Sequence, residues 1–370
     1  MISACLSEVG VGDPSGTAKV LGSETCMTSG CHGGAGLDRG AYTIFKRFDP
    51  HLEASATLGN GRSKAMARQL GIENAAESTR CTICHSPMQQ VPPTRLAPVP
   101  EGHKVDSGVS CANCHGPAEN WLLSHTRPDY PKDALARLGL RQLGSAYQRA
   151  NNCVACHQNL SDLLVNAKHP PLVFELDGLL VAEPKHWRED KGFSNAKTWL
   201  VGQAVALREA AAQANREPGE RRAAEIEAVR ALLKATETGW DDSAKDLVRS
   251  ADEFAKRISS APMSPEQSRS ILARLMGNRA PFQPDAFSAV AREYRSWAIG
   301  YYAERLALAM DRLNESLAAS GQQRVIAKSL LDELFNAAKP PESFEAATAD
   351  EFVNKLDRLA KSHIDAEPGR

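Results

Sequence analysis

The pattern of apolar and polar positions divides the chain near Lys191. Beyond it, Ala, Leu, Val and Ile recur every three to four residues between Glu, Arg and Lys, the period of an amphipathic helix. This predicts helices over 194–215, 218–238, 243–260, 264–276, 284–319, 322–338 and 348–363. Some carry their own punctuation. Ser264-Pro265-Glu266-Gln267 places a serine at the cap, proline at the first helical position and glutamine where a capping box needs it, and Gly239, Gly277 and Gly321 stand where helices should stop. The connections are short, so neighbouring helices should run antiparallel, and 191–370 is expected to be a cofactor-free α-helical bundle. Tyr294, Trp297, Tyr301 and Tyr302 fall along one of these helices and read as core before interface.

Before Lys191 the periodicity fades. Residues 1–22 are small and polar, an extended lead-in, and helical signal is limited to short pieces at 63–70 and 133–150. Pro87, Pro92, Pro93, Pro98 and Pro100 make the stretch between them an irregular loop. The span 23–190 also carries all four Cys-His motifs and nine of the ten histidines.

The cysteines define these motifs. Cys81-Thr82-Ile83-Cys84-His85, Cys111-Ala112-Asn113-Cys114-His115 and Cys153-Val154-Ala155-Cys156-His157 share one spacing, and Cys26-Met27-Thr28-Ser29-Gly30-Cys31-His32 is a fourth copy with a longer loop. Cys-x-x-Cys-His is the pattern of covalent c-type haem attachment. Two thiols about one helical turn apart add to the two vinyl groups of a porphyrin, and the adjacent histidine offers its nitrogen to the iron. Zinc also uses paired cysteines, but it does not require a histidine directly after the second cysteine in every copy. The motifs therefore predict four covalently bound c-type haems, with His32, His85, His115 and His157 as proximal ligands. The fold class expected is mainly α: a tetrahaem domain over 23–190 with the haems as its core, followed by the helical bundle.

Charge and hydropathy exclude other classes. The formal net charge is −1 and charged residues make up 24% of the chain, which gives no basis for binding nucleic acid. No apolar run approaches the roughly 18 residues that span a bilayer. Thioether attachment takes place outside the cytoplasm, so an export signal is expected that the sequence does not begin with. Of the nine cysteines only Cys5 is spare. Ile2-Ser3-Ala4-Cys5 looks like the end of a lipoprotein cleavage box, with Cys5 lipidated, or else Cys5 is an incidental free thiol.

Each motif histidine leaves the far side of its iron open, and His51, His103, His125, His169, His186 and His363 remain as candidates. Read with Ser107-Gly108-Val109-Ser110, the run from Cys111 to Pro117 resembles the third haem site of the cytochrome c-554 family of tetrahaem cytochromes. His51, His125 and Lys168-His169-Pro170-Pro171-Leu172-Val173-Phe174-Glu175 are also similar to that family. The resemblance covers about residues 20–190 and rests on motif order. It implies that distal ligands cross between haems: His125 to the His32 haem, His169 to the His115 haem and His51 to the His157 haem. It further implies that the His85 haem is the open one, although here His103 or Met88 lies near it and His186 is available in place of His169. His363, alone in the helical region, reads as a surface residue.

These readings converge on an extracytoplasmic, periplasmic electron carrier that exchanges electrons with redox protein partners. Its helical region would serve homo-oligomerisation or assembly into a complex. The competing expectation is a haem oxidoreductase acting on nitric oxide, hydroxylamine or nitrite at an open iron on His85.

Overall fold

The computed structural model describes residues 16–37, 39–98, 107–189 and 192–365, with residues 363–365 described by their backbone only. The fold is mainly α, and the one β feature among the described residues is a single parallel bridge between Val20 and Leu96. The chain divides into two compact units. The first comprises 1–144, 151–173 and 180–189, and the second 145–150, 174–179 and 190–370.

In the first unit the helices are short: α1 (Ala41–Phe48), α2 (Gly61–Gln69), α3 (Thr79–His85), α4 (Cys111–His115) and α5 (Lys132–Arg137), followed by the end of α6 (Ala146–His157), α7 (Asp162–Asn166) and the last turn of α8 (Leu176–Ala182). Its buried side chains form small separate groups. Leu58, Ala67 and Ala75 make one, and Ala118, Trp121 and Leu135 another. The helix expected over 133–150 is in fact two, α5 and α6. The chain turns out at Gly139, whose φ is +106°, and Arg141 N–H then donates to His115 O at 3.0 Å, tying the break to the third motif.

The second unit is built around two long helices. Ser194 caps α9 (Asn195–Arg216) by accepting from Lys197 N–H. α9 buries Trp199, Leu200, Val201, Ala204, Val205 and Leu207 all round its circumference, as a helix enclosed by others must. It packs on α10 (Glu220–Ala235), α11 (Leu247–Ser260) and α13 (Arg295–Ala319), while α13 packs in turn on α12 (Pro265–Gly277) and α14 (Lys328–Ala337), and α14 on α15 (Ala346–Asp365). The capping box of Ser264 with Gln267 forms as the sequence implies. Tyr302 is fully buried and Tyr301 nearly so, whereas Tyr294 and Trp297 are half-buried against each other.

Two helices are shorter than their patterns suggest. In place of helix over 284–294 the chain makes irregular turns, because Phe287 takes a φ of +56°, and α13 starts only at Arg295. Residues 322–327 are drawn off by buried Asn314, whose side-chain oxygen accepts from Val325 and Ile326 N–H at 2.9 and 3.0 Å. Gly321 makes the exit from α13 at a φ of +80°, a left-handed turn that glycine takes at no steric cost.

Candidate haem-binding site

The attachment motifs take two local forms. The second, third and fourth lie within α3, α4 and α6, where x-x spacing brings both thiols to one side over a helical turn. α4 starts from a capping box of Ser110 with Asn113 and ends at Gly116, whose φ of +85° and close approach to Gly139 O exclude any Cβ. The first motif is not helical beyond Cys26. Its longer loop folds back through Cys31 N–H to Thr28 O and His32 N–H to Cys26 O at 3.1 Å, so the backbone of the histidine returns to the first cysteine. None of the eight motif cysteines is in a disulfide.

Each motif histidine faces one other imidazole. His32 stacks on His125 with ring centres 6.1 Å apart, and His157 meets His51 edge-on at 5.9 Å. His85 lies 6.4 Å from His169, and His115 lies 6.5 Å from His186. An imidazole nitrogen sits ~2 Å from a transition metal and ~1.1 Å from its own ring centre, so two imidazoles on one metal stand roughly 6.3 Å apart. All four pairs have that spacing.

Two of these pairings differ from those implied by the resemblance. His169 stands against His85 and not His115, and His186 takes the place opposite His115. His169 follows α7 by a reversal in which Lys168 adopts a φ of +71° and His169 N–H donates to Leu164 O at 2.9 Å, which swings the ring away from its own motif. His103 and Cys5 lie outside the described residues. Met88 is buried, and its sulfur accepts from the Ser110 hydroxyl at 3.3 Å.

On the side away from the partner ring, Nδ1 is engaged in most of these residues. His125 Nδ1 lies 2.6 Å from Leu122 O, His169 Nδ1 2.8 Å from Pro170 O, and His186 Nδ1 3.2 Å from Pro184 O. His85 Nδ1 is 3.0 Å from the Thr57 hydroxyl. Engaging Nδ1 fixes the tautomer and leaves Nε2 to bind a metal. His51 is the exception in kind: its Nδ1 lies 2.9 Å from Asp49 Oδ1 and 3.3 Å from Glu183 Oε2. Sequence reasoning missed Asp49 and Glu183. Asp49-Pro50-His51 does carry a local cap signal, since Asp49 also accepts from His51 N–H at 2.9 Å, but nothing in the sequence marks Glu183.

Electrostatics sets His51 apart from the motif histidines. Burial lowers the pKa of all four motif histidines, with His115 pushed down to about 4, and nearby imidazoles lower them further. Each is therefore neutral with a lone pair to give. Carboxylates have the opposite effect on His51 and raise it to about 10. The same influences give the order of the sites. His125 and His186 both act on His32, His85 and His51 both act on His157, and Asp49 and Glu183 reach Cys114. The His32/His125 pair thus adjoins His115/His186, which adjoins His157/His51, which adjoins His85/His169.

The residues fit c-type haem better than zinc. Among the described residues, the one group of three or more Cys, His, Asp or Glu donors within reach of a single ion is Asp49, His51 and Glu183, with no cysteine in it. Six of the seven exposed large apolar side chains among the described residues, Met27, Leu37, Phe48, Leu123, Leu163 and Val181, are in the first unit, where they could pack on a porphyrin; the seventh is Phe335. Half-buried Arg141 donates from its guanidinium to Asn113 O in the third motif and has a buried Nε with no hydrogen-bond partner, a donor that a haem carboxylate could use.

Residues 68–158 match the family model described as cytochrome c7 and related cytochrome c. The match takes in the second, third and fourth motifs and supports a multihaem electron-transfer cytochrome, with covalently bound c-type haem, in this part of the chain. The first motif, His51, His169 and His186 lie outside it. No curated protein and no solved structure matches the chain. No helix among the described residues is long and apolar enough to cross a membrane.

Proposed function

We propose that the chain is a tetrahaem electron carrier working in the periplasm, with every iron held between two imidazoles. Cys26 and Cys31, Cys81 and Cys84, Cys111 and Cys114, and Cys153 and Cys156 attach the haems. The axial pairs are His32 with His125, His85 with His169, His115 with His186 and His157 with His51. The observation that carries this reading is the four imidazole pairs at 5.9–6.5 Å. When bound, haem supplies one-electron redox chemistry. The protein's part is to close both axial positions, which bars substrate from the iron, and to keep the sites in sequence so that electrons pass between neighbours. Bis-imidazole ligation also favours a lower potential than methionine–histidine ligation. The four pairs occupy fewer than 160 residues, His32 to His186, which keeps adjacent sites close.

A reductase of nitric oxide, hydroxylamine or nitrite needs an open iron on His85, and the 6.4 Å between the His85 and His169 ring centres favours the carrier over it. Carbon monoxide added to the reduced holoprotein is the test. A carrier leaves its spectrum unchanged and turns over none of these nitrogen compounds, whereas a carbonyl band with turnover would establish the reductase.

A further inference from the structure

Among the imidazoles facing the motif histidines, only one is held by carboxylate. Leu122 O, Pro170 O and Pro184 O, the acceptors for His125, His169 and His186, are neutral carbonyls. His51 instead points Nδ1 at Asp49 Oδ1, 2.9 Å away, with Glu183 Oε2 behind at 3.3 Å. Asp49 is buried, with its side chain 4% exposed, and Glu183 is 20% exposed, so neither is well screened by solvent. The carboxylate is also fixed in place, because the same Oδ1 accepts the backbone N–H of His51 at 2.9 Å and so caps the turn that begins at Pro50.

An imidazole that donates Nδ1–H to a carboxylate takes on imidazolate character and becomes a stronger donor to its metal, which favours the ferric over the ferrous state. A buried negative charge a few ångströms away acts in the same direction. We propose that Asp49, flanked by Glu183, sets the potential of the haem between His157 and His51 and makes it the lowest of the four. The inference rests on the tetrahaem reading and gives a positioning and tuning function to two residues outside every attachment motif. With Nδ1 of His51 2.9 Å from Asp49 Oδ1 and 3.3 Å from Glu183 Oε2, the three residues are engaged with one another.

The test is a spectroelectrochemical titration of the full-length holoprotein as wild type, Asp49→Asn, Asp49→Glu and His51→Met, with the spin state followed by electron paramagnetic resonance. Methionine raises a haem's potential, so the wave that moves upward in His51→Met marks the haem concerned, and it should be the lowest wave of the wild type. Asp49→Asn, which keeps an oxygen for the cap but loses the charge, should raise that same wave and leave the other three in place, with all irons still low-spin. Asp49→Glu should restore most of the shift. A merely structural role for Asp49 would give a high-spin iron in place of a shifted potential. The proposal is overturned if Asp49→Asn leaves the marked wave where it was, moves a different one, or if the marked wave is not the lowest. Should Asp49→Asn lose its haem, Glu183→Gln takes its place and should move the marked wave upward by a smaller step; no movement there overturns the proposal too. If His51→Met moves no wave at all, the ligand assignment itself fails, an outcome distinct from a failure of Asp49 alone.

Discussion

At the residue scale the histidines divide into those a local pattern reveals and those only the fold can place. A five-residue motif names its own proximal ligand, because the chemistry demands the thiols and imidazole within one turn. A distal ligand is chosen by tertiary structure, and His169 shows the consequence. It lies twelve positions after His157, yet the left-handed Lys168 and the bond from His169 N–H to Leu164 O turn it to His85. His169→Ala should therefore convert only the haem on His85 to a high-spin, carbon monoxide-binding form, and His186→Ala only the haem on His115, as read by electron paramagnetic resonance of each variant. Conversion of the His115 haem in His169→Ala would instead support the pairing implied by the cytochrome c-554 resemblance. With His169 opposite His85, the further expectation is that His103→Ala changes no spin state. The carboxylates around His51 were illegible beforehand because Glu183 is 132 positions from His51 and touches it only through the fold.

At the scale of elements, apolar periodicity located the long helices of the second unit and misjudged where several begin. The errors have particular causes: Phe287 in a left-handed conformation, the side chain of Asn314 capturing the backbone of Val325 and Ile326, and the turn at Gly139 that divides α5 from α6. None leaves an imprint on hydrophobic spacing. The second unit also recruits 174–179 from upstream of its periodic region. Phe174 and Leu176 are fully buried there, Leu176 against Gly202, and Phe174 O accepts from the buried Arg305 guanidinium at 3.3 Å. Burying two such side chains is worth about 3–6 kcal/mol together, a large part of a domain's stability. A fragment of 174–370 should thus be colourless and helical and melt cooperatively by circular dichroism, while 190–370 should melt at a clearly lower temperature. Equal melting temperatures would remove Phe174 and Leu176 from that core. Within α13, Gly300 approaches Pro341 and Phe344 so closely that an added Cβ would stand 2.7 Å from Pro341 Cα. Gly300→Ala should cost about 1–3 kcal/mol in denaturant unfolding of the full chain through overpacking, and a neutral result would show that the 341–344 turn yields easily.

For the molecule as a whole, the sequence already shows two regimes: an irregular haem-bearing part whose own apolar groups are small and scattered, and a helical part without Cys-His motifs. Denaturing mass spectrometry should give the polypeptide plus four times the mass of haem b, since thioether addition to a vinyl group loses no atoms; three would mean that the long-loop motif at Cys26–Cys31 is not loaded. What neither composition nor motif count reveals is whether each iron is open or closed, and on that the choice between carrier and enzyme turns. The direct measurement is quantitative electron paramagnetic resonance of the fully oxidised wild-type holoprotein, with spins counted per chain. Closure of all four irons by imidazole pairs predicts four low-spin ferric haems and no high-spin signal. A high-spin iron in the wild type would contradict it.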